Sequence, residues 1–444
     1  MSRWFVVLSL ALGFALICLT SRMAVPAFAA DEGDEVTTEE TGGDTDETGG
    51  DTDETAETPA TTETTEFTET APATPFPTKA SIRDLVEQGM TSDAELAYLE
   101  WASFWHDDDP TLIVPVLRGK LMNDFRQGNN AALIALAQAG DREAINVLSE
   151  QVLADGENWP PKDLIPAIQF IGRIGDGAAL NVLRSVLYNE DAGVVNAAIE
   201  ALGNIGDPRI APELMKMFDD ADPERSVVLA RALAKLGKAK QVNARFEPQL
   251  QFPLPGVREK AALVLAAIGR SKGWPIVHHM LQTKEAPYYP LALVTLSALP
   301  TQESVAFVSA SMAGEEAEQL AALQSINVLP AEKIDAMLLT LMRDDARPAS
   351  VRVLAIRMIT ARRLDRAAGE LRTLATNPTE EDPVVKGEAM MALASFDLLK
   401  DYPVREVVRQ RVISEEEPVA RASRAVLLSY ALKANMIASA KQKR

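Results

Sequence analysis

Cysteine is nearly absent from this 444-residue chain: the one residue, Cys18, lies inside the first apolar run, so no disulfide can staple the rest. Histidine is scarce too. His106, His278 and His279 are the whole complement, and the adjacent pair stands about 100° apart on a helix, where two side chains cannot readily share one metal. No Gly-x-Ser-x-Gly elbow and no Walker-type glycine loop occurs, which removes the usual signatures of hydrolase and nucleotide chemistry. Only 5% of residues are aromatic, and no run alternates apolar and polar residues with the period of a strand. These absences point away from catalysis. The expectation is no enzyme, no cofactor, no catalytic residue and no metal ligand.

The N-terminus is read as an address. Arg3 precedes an apolar run over residues 4–19, and Ala27-Phe28-Ala29 places small residues before a cut at Ala30, the pattern of a secretory signal peptide over residues 1–30. The run is shorter than the roughly 18–20 apolar residues a spanning helix needs. Ile17, bulky where lipoprotein signals have a small residue, argues against lipidation of Cys18. The expected location is the bacterial periplasm or the outside of the cell, with no membrane insertion of the mature chain.

Residues 31–78 hold sixteen Asp or Glu, sixteen Thr and no Lys or Arg. Too little apolar surface is present to collapse, so a disordered acidic spacer is expected. Its duplicated Thr-Gly-Gly-Asp-Thr-Asp-Glu, at residues 41–47 and 48–54, matches neither an EF-hand nor a calcium-binding β-roll. The spacer carries −16 of the formal −20, whereas residues 79–444 sum to −6. That balance argues against nucleic-acid binding.

The remaining 366 residues repeat. Gly140, Gly175, Gly206, Gly237 and Gly269 are 35, 31, 31 and 32 apart, a solenoid period. In one unit Val195, Ala198, Ile199 and Leu202 make an apolar stripe that Gly203 and Gly206 end. Asp207 then caps a second helix that opens on Pro208 and buries Ile210, Leu214, Met217 and Phe218. Later units use Leu299-Pro300 and Leu329-Pro330 as breakers. Residues 351–359, 384–393 and 419–428 supply further first helices. The fold class is therefore all-α, a right-handed α-solenoid of about ten stacked helical hairpins over residues 79–444.

The segment from Pro255 to Gly269 resembles the first helix of a HEAT repeat, and the short period is similar to the HEAT-like repeats of phycobilin lyases. The resemblance implies a HEAT-like superhelix with a ladder between units. Arg258 and Arg352 match its Arg position; Asp141, Asp176 and Asp207 match its Asp position. Deoxyhypusine hydroxylases, an enzyme branch on such repeats, resemble arrays of His-Glu iron motifs, and this chain has none.

Three further expectations bear on function. Trp101 and Trp105, four apart, are read as capping the exposed end of the solenoid, and Asp107-Asp108-Asp109 as an N-cap run before Pro110, since adjacent side chains diverge too far to enclose calcium. Basic residues concentrate late, and Arg366, Arg372, Arg405 and Arg409 fall on second helices, which line the concave face in HEAT arrays. They would form a stripe for a protein partner, an acidic one if the stripe is complete. The function expected is a non-catalytic protein-binding scaffold. The alternatives are a metal-dependent or lyase-like enzyme and a structural envelope component.

Overall fold

The computed structural model describes residues 76–442 except Asp176, 285–287, 378–379 and 381. The expected signal segment, the spacer through residue 75 and Asp176 lie outside the described residues. Three helices lead: α1 (Lys79–Glu87), α2 (Thr91–Trp105) and α3 (Pro110–Arg126). Nine pairs follow among the described residues: α4 (Asn130–Ala139) with α5 (Arg142–Asp155), α6 (Pro161–Ile174) with α7 (Gly177–Ser185), α8 (Ala192–Ile205) with α9 (Ala211–Lys216), α10 (Pro223–Lys235) with α11 (Ala239–Phe246), and α12 (Pro255–Ala267) with α13 (Trp274–Thr283). The later pairs are α14 (Tyr288–Thr295) with α15 (Gln302–Ser311), α16 (Glu316–Gln324) with α17 (Ala331–Arg343), α18 (Ala349–Arg362) with α19 (Ala368–Thr376), and α20 (Pro383–Ser395) with α21 (Tyr402–Gln410). The long α22 (Glu417–Gln442) ends the array.

The glycine period has the physical cause its spacing implies. Gly140, Gly175, Gly206, Gly237 and Gly269 all have positive φ, from 64° to 95°, the left-handed turn that stops a helix and that a side chain resists. Next to Gly140 and Gly206, Asp141 and Asp207 accept the amide hydrogens of Ala144 and Arg209, each at 2.9 Å. Gly203 differs from the expectation. It lies inside α8, and a Cβ there would meet the Ala232 Cα and Cβ of α10 at 2.8 Å. Gly172 on α6 likewise faces Ala201 of α8, with 2.6 Å left for a Cβ. Both glycines let neighbouring first helices touch backbone to backbone.

First helices pack on first helices in an unbroken series from α4 to α22. Their buried runs are continuous, as in Ala261–Ala267 of α12 and the six residues Gln319–Gln324 of α16, because neighbours enclose them on nearly all sides. The second helices pack against the first helix of their own or of the following unit, as α17 does on α18 and α19 on α20, and keep an exposed face. The first helices are therefore the inner layer, opposite to the assignment the HEAT resemblance implied. The series does not end in the open: α22 packs against α3 and α4, closing the array into a ring.

The matched positions build the expected ladder only in part. Asp207 pairs with Arg209 in its own turn, Arg258 is exposed, and Asp141 is bound at 2.7 Å by Arg118 of α3. The second matched arginine, Arg352, does link units, but to a glutamate rather than to one of the matched aspartates. Arg352 of α18 donates to both Glu380 oxygens, at 2.9 and 2.6 Å, with both side chains buried. Lys386, one unit later on the next first helix, α20, donates to Glu416 at 2.9 Å.

Burial alone would raise the Glu380 carboxyl, but the Arg352 hydrogen bonds and charge hold it below its ordinary 4.5. A depressed acid contributes stability that is present above its unfolded value and lost as pH falls through the folded one. Glu380→Gln is thus expected to cost about 1–3 kcal/mol at pH 7, by the worth of a charge-assisted bond. The gap should narrow below pH 4.5. Chemical denaturation of both proteins from pH 7 to pH 3 checks this, and a gap independent of pH contradicts it.

Candidate functional site

The four arginines expected to share one stripe part company. Arg405 and Arg409 are on α21, but their guanidinium groups point into the ring closure. Arg405 Nε donates to Asp108 Oδ2 at 2.6 Å, and Arg409 donates to Asp108 Oδ1 and to Glu406. The Arg409 side chain is 1% exposed and that of Asp108 4%. Arg366 stays on the solvent side, 3.3 Å from Asp335, and Arg372 is exposed on α19. Two of the four are structural cement, and two face solvent on the outer layer.

Asp108 is the residue whose role the aspartate run concealed. Of the three, Asp109 performs the expected capping, accepting the Thr111 amide at 2.9 Å. Asp108 instead joins a cluster with Tyr98, Arg405 and Arg409. Burial, then the Asp108 charge, pushes the Tyr98 phenol far up, so it stays neutral. Burial alone would depress the Arg409 guanidinium, but Tyr402 and Asp108 hold it fully charged. A second pair completes the seam, with Arg424 of α22 donating to both oxygens of Glu95 on α2 at 2.7 and 3.0 Å. Asn129 donates to Glu417 at 3.1 Å, and His106 Nδ1 lies 2.9 Å from the Tyr402 hydroxyl. Trp101 is buried as expected; Trp105 is exposed, because closure leaves no solenoid end for it to cap.

Inside the ring, a cavity of about 580 Å³ opens between α4 and α6 on one side and α18, α20 and α22 on the other. Lys162, Arg173, Arg357 and Arg421 reach it, with Asp163 and Glu388 as the acids. Arg357 donates to Glu388 at 2.8 Å. Arg173 touches solvent but has protein on most sides, and that desolvation, with the Arg357 charge adding to it, pushes its pKa down to about 10. Asp163 is raised by burial, with Lys162 and Arg421 opposing.

His278 and His279 are not brought together on a site: His278 sits 5.4 Å from the Trp274 ring and 3.7 Å from Glu303, and His279 is exposed. Among the described residues, no group of three His, Cys, Asp or Glu is placed to hold a metal ion. No helix there is long and apolar enough to cross a membrane.

Paired helices, a glycine-punctuated period and stacked inner layers define an all-α solenoid. Residues 157–234, from the turn before α6 to the end of α10, match the family model of HEAT repeats. That stretch is made of HEAT repeats, helical modules of a kind that forms scaffolds for protein binding; the match does not reach the phycobilin lyases. No curated protein matches the sequence.

Proposed function

We propose that this is an exported, non-catalytic scaffold that binds another protein along one rim of its helical ring, in the bacterial periplasm or outside the cell. The observation that carries the reading is a set of exposed apolar side chains at equivalent places. Tyr188, Leu254 and Ile413 each lie on a connection from a second helix to the next first helix, and Phe252 is beside Leu254. Repeat equivalence puts these connections on a single rim. Large apolar side chains repeated along one rim suit anchoring of an extended partner, and aromatic anchors carry much of the energy in such contacts. Arg366 and Arg372, on the outer layer, suit a partner with acidic groups. Export rests on the apolar run and small-residue cleavage site of residues 1–30.

The test is chemical crosslinking and capture from the envelope fraction with the full mature chain and its Tyr188→Ser/Leu254→Ser/Ile413→Ser variant. The wild type is expected to retain one defined protein that the variant loses at least tenfold. Equal capture by both contradicts the rim. No captured protein, with one equivalent of metal retained instead, favours the enzyme alternative.

A further inference from the structure

We propose that the groove between α9 and α11 on the outer layer docks a short acidic segment of a partner protein, with Lys216 and Lys238 taking its carboxylates and Pro212 and Met215 supporting an apolar side chain. The groove has a volume of about 410 Å³ and is open to solvent. Its lining includes none of the rim residues Tyr188, Leu254 and Ile413, so it goes beyond the rim reading and is tested separately from it.

The charge left over in this groove selects the occupant. Between other neighbouring second helices a cross-pair uses up facing charges: Arg184 of α7 with Glu213 of α9, Lys272 before α13 with Glu247 after α11, and Arg343 of α17 with Glu370 of α19. The α9–α11 groove has such a pair too, Asp219 with Arg245. Lys216 and Lys238 are then in excess. Both line the groove, and neither has an ion-pair partner among the described residues. The sequence shows the same local bias, with six Lys or Arg and no Asp or Glu over residues 225–246, in a chain of formal charge −20.

The walls are already in place. Arg245 donates to Asp219 and, at 3.3 Å, to the Met215 carbonyl, and its guanidinium lies 5.5 Å from the Phe218 ring. It ties α11 to α9, so little of the groove has to be ordered when a ligand enters. Pro212 is exposed and Met215 half-buried, and a methionine floor adapts to varied apolar side chains. That apolar support beside two lysines favours a peptide over a bare inorganic anion. Gln241 lines the groove as well, and its amide can both donate to and accept from a peptide backbone. A long polyanion such as nucleic acid would meet the rest of an acidic chain, whereas a short peptide meets only the groove.

Fluorescence anisotropy of labelled peptides with the full chain at low ionic strength tests the assignment. A Glu-Asp-Leu-Glu-Asp probe is expected to bind saturably and one-to-one, at least tenfold tighter than Gln-Asn-Leu-Gln-Asn, and to weaken as added salt screens the charges. Lys216→Gln/Lys238→Gln should lose at least tenfold. Pro212→Glu, which puts an acid in the groove, should also bind more weakly, with helical circular dichroism confirming that both variants fold. The Arg366→Gln/Arg372→Gln protein and the triple rim variant should each bind within twofold of wild type, so a failed rim leaves the groove standing. No saturable binding of the acidic probe overturns the proposal. So does wild-type binding by the double lysine variant, or an equal loss in Arg366→Gln/Arg372→Gln, which signals diffuse charge attraction. Tighter binding of a labelled single-stranded oligonucleotide, lost in the same lysine variant, overturns the peptide assignment in favour of nucleic acid.

Discussion

Replacing Asp108 by Ala is expected to open the ring and to cost about 3–5 kcal/mol, the usual penalty for stranding a buried charge. Two guanidinium groups depend on this one carboxylate, and the Arg409 side chain is 1% exposed. Water cannot replace the lost partner without the seam parting. Asp108→Asn should cost less, since the amide oxygen still accepts one bond, but it removes the charge that balances Arg405 and Arg409. The Glu95→Ala variant attacks the other half of the seam, where Glu95 takes both bonds from Arg424. Both sites involve α2, through Tyr98 and Glu95, and α21 packs on α22, so their effects should couple rather than add. Guanidinium unfolding gives the loss, and small-angle scattering gives the shape. A larger radius of gyration for Asp108→Ala is expected; wild-type dimensions with wild-type stability would show that the seam ion pairs hold nothing.

The second large effect concerns the inner layer. Gly172→Val and Gly203→Val each insert a branched side chain where a Cβ alone meets its neighbour at 2.6–2.8 Å. The neighbour at Gly203 includes the Ala232 Cα, which no rotamer change can move aside. Overpacking of this kind costs about 1–3 kcal/mol per site and sometimes more. Both contacts involve α8, so the double variant is expected to lose about 2–6 kcal/mol. Gly206→Ala is the control. Its φ is 78° but nothing lies near a Cβ there, so only the backbone penalty of about 1 kcal/mol applies. Chemical denaturation ranks the three. A Gly206→Ala protein less stable than the double variant would contradict the close helix contact.

Local grammar was legible in the residues, and long-range closure was not. Each glycine stop and aspartate cap acts within a few positions, so Gly140-Asp141 or Gly206-Asp207 can be read without knowing what lies beyond. The seam joins Glu95 and Asp108 to Arg424, Arg405 and Arg409, some 300 positions away, and nothing local encodes that pairing. From the residues alone, the four late arginines therefore look like a stripe for a protein partner. One clue is present: Arg424 interrupts a run from Val419 to Leu428 that is otherwise small or apolar apart from Arg421, and Glu95 is set among Ala94, Leu96, Ala97, Tyr98 and Leu99. A charge at a core position needs a counter-charge. The inner placement of first helices was missed for a related reason, since the family resemblance assigns the concave layer to second helices, whereas the continuous apolar runs of α12 and α16 demand enclosure. The cavity arose from the same closure and was invisible until α6 and α18 were placed across from each other.

The most direct measurement is a spin-label distance across the seam. With Cys18 replaced by Ser, the chain has no other thiol, so cysteines introduced at Asn129 and Glu417 can be labelled cleanly. These side chains are in contact at 3.1 Å, and the closed ring predicts a single short distance of about 20 Å or less. An open array of nine steps, each about 8–10 Å between helix axes, would place the labels several tens of ångströms apart with a broad distribution, and that result would contradict closure.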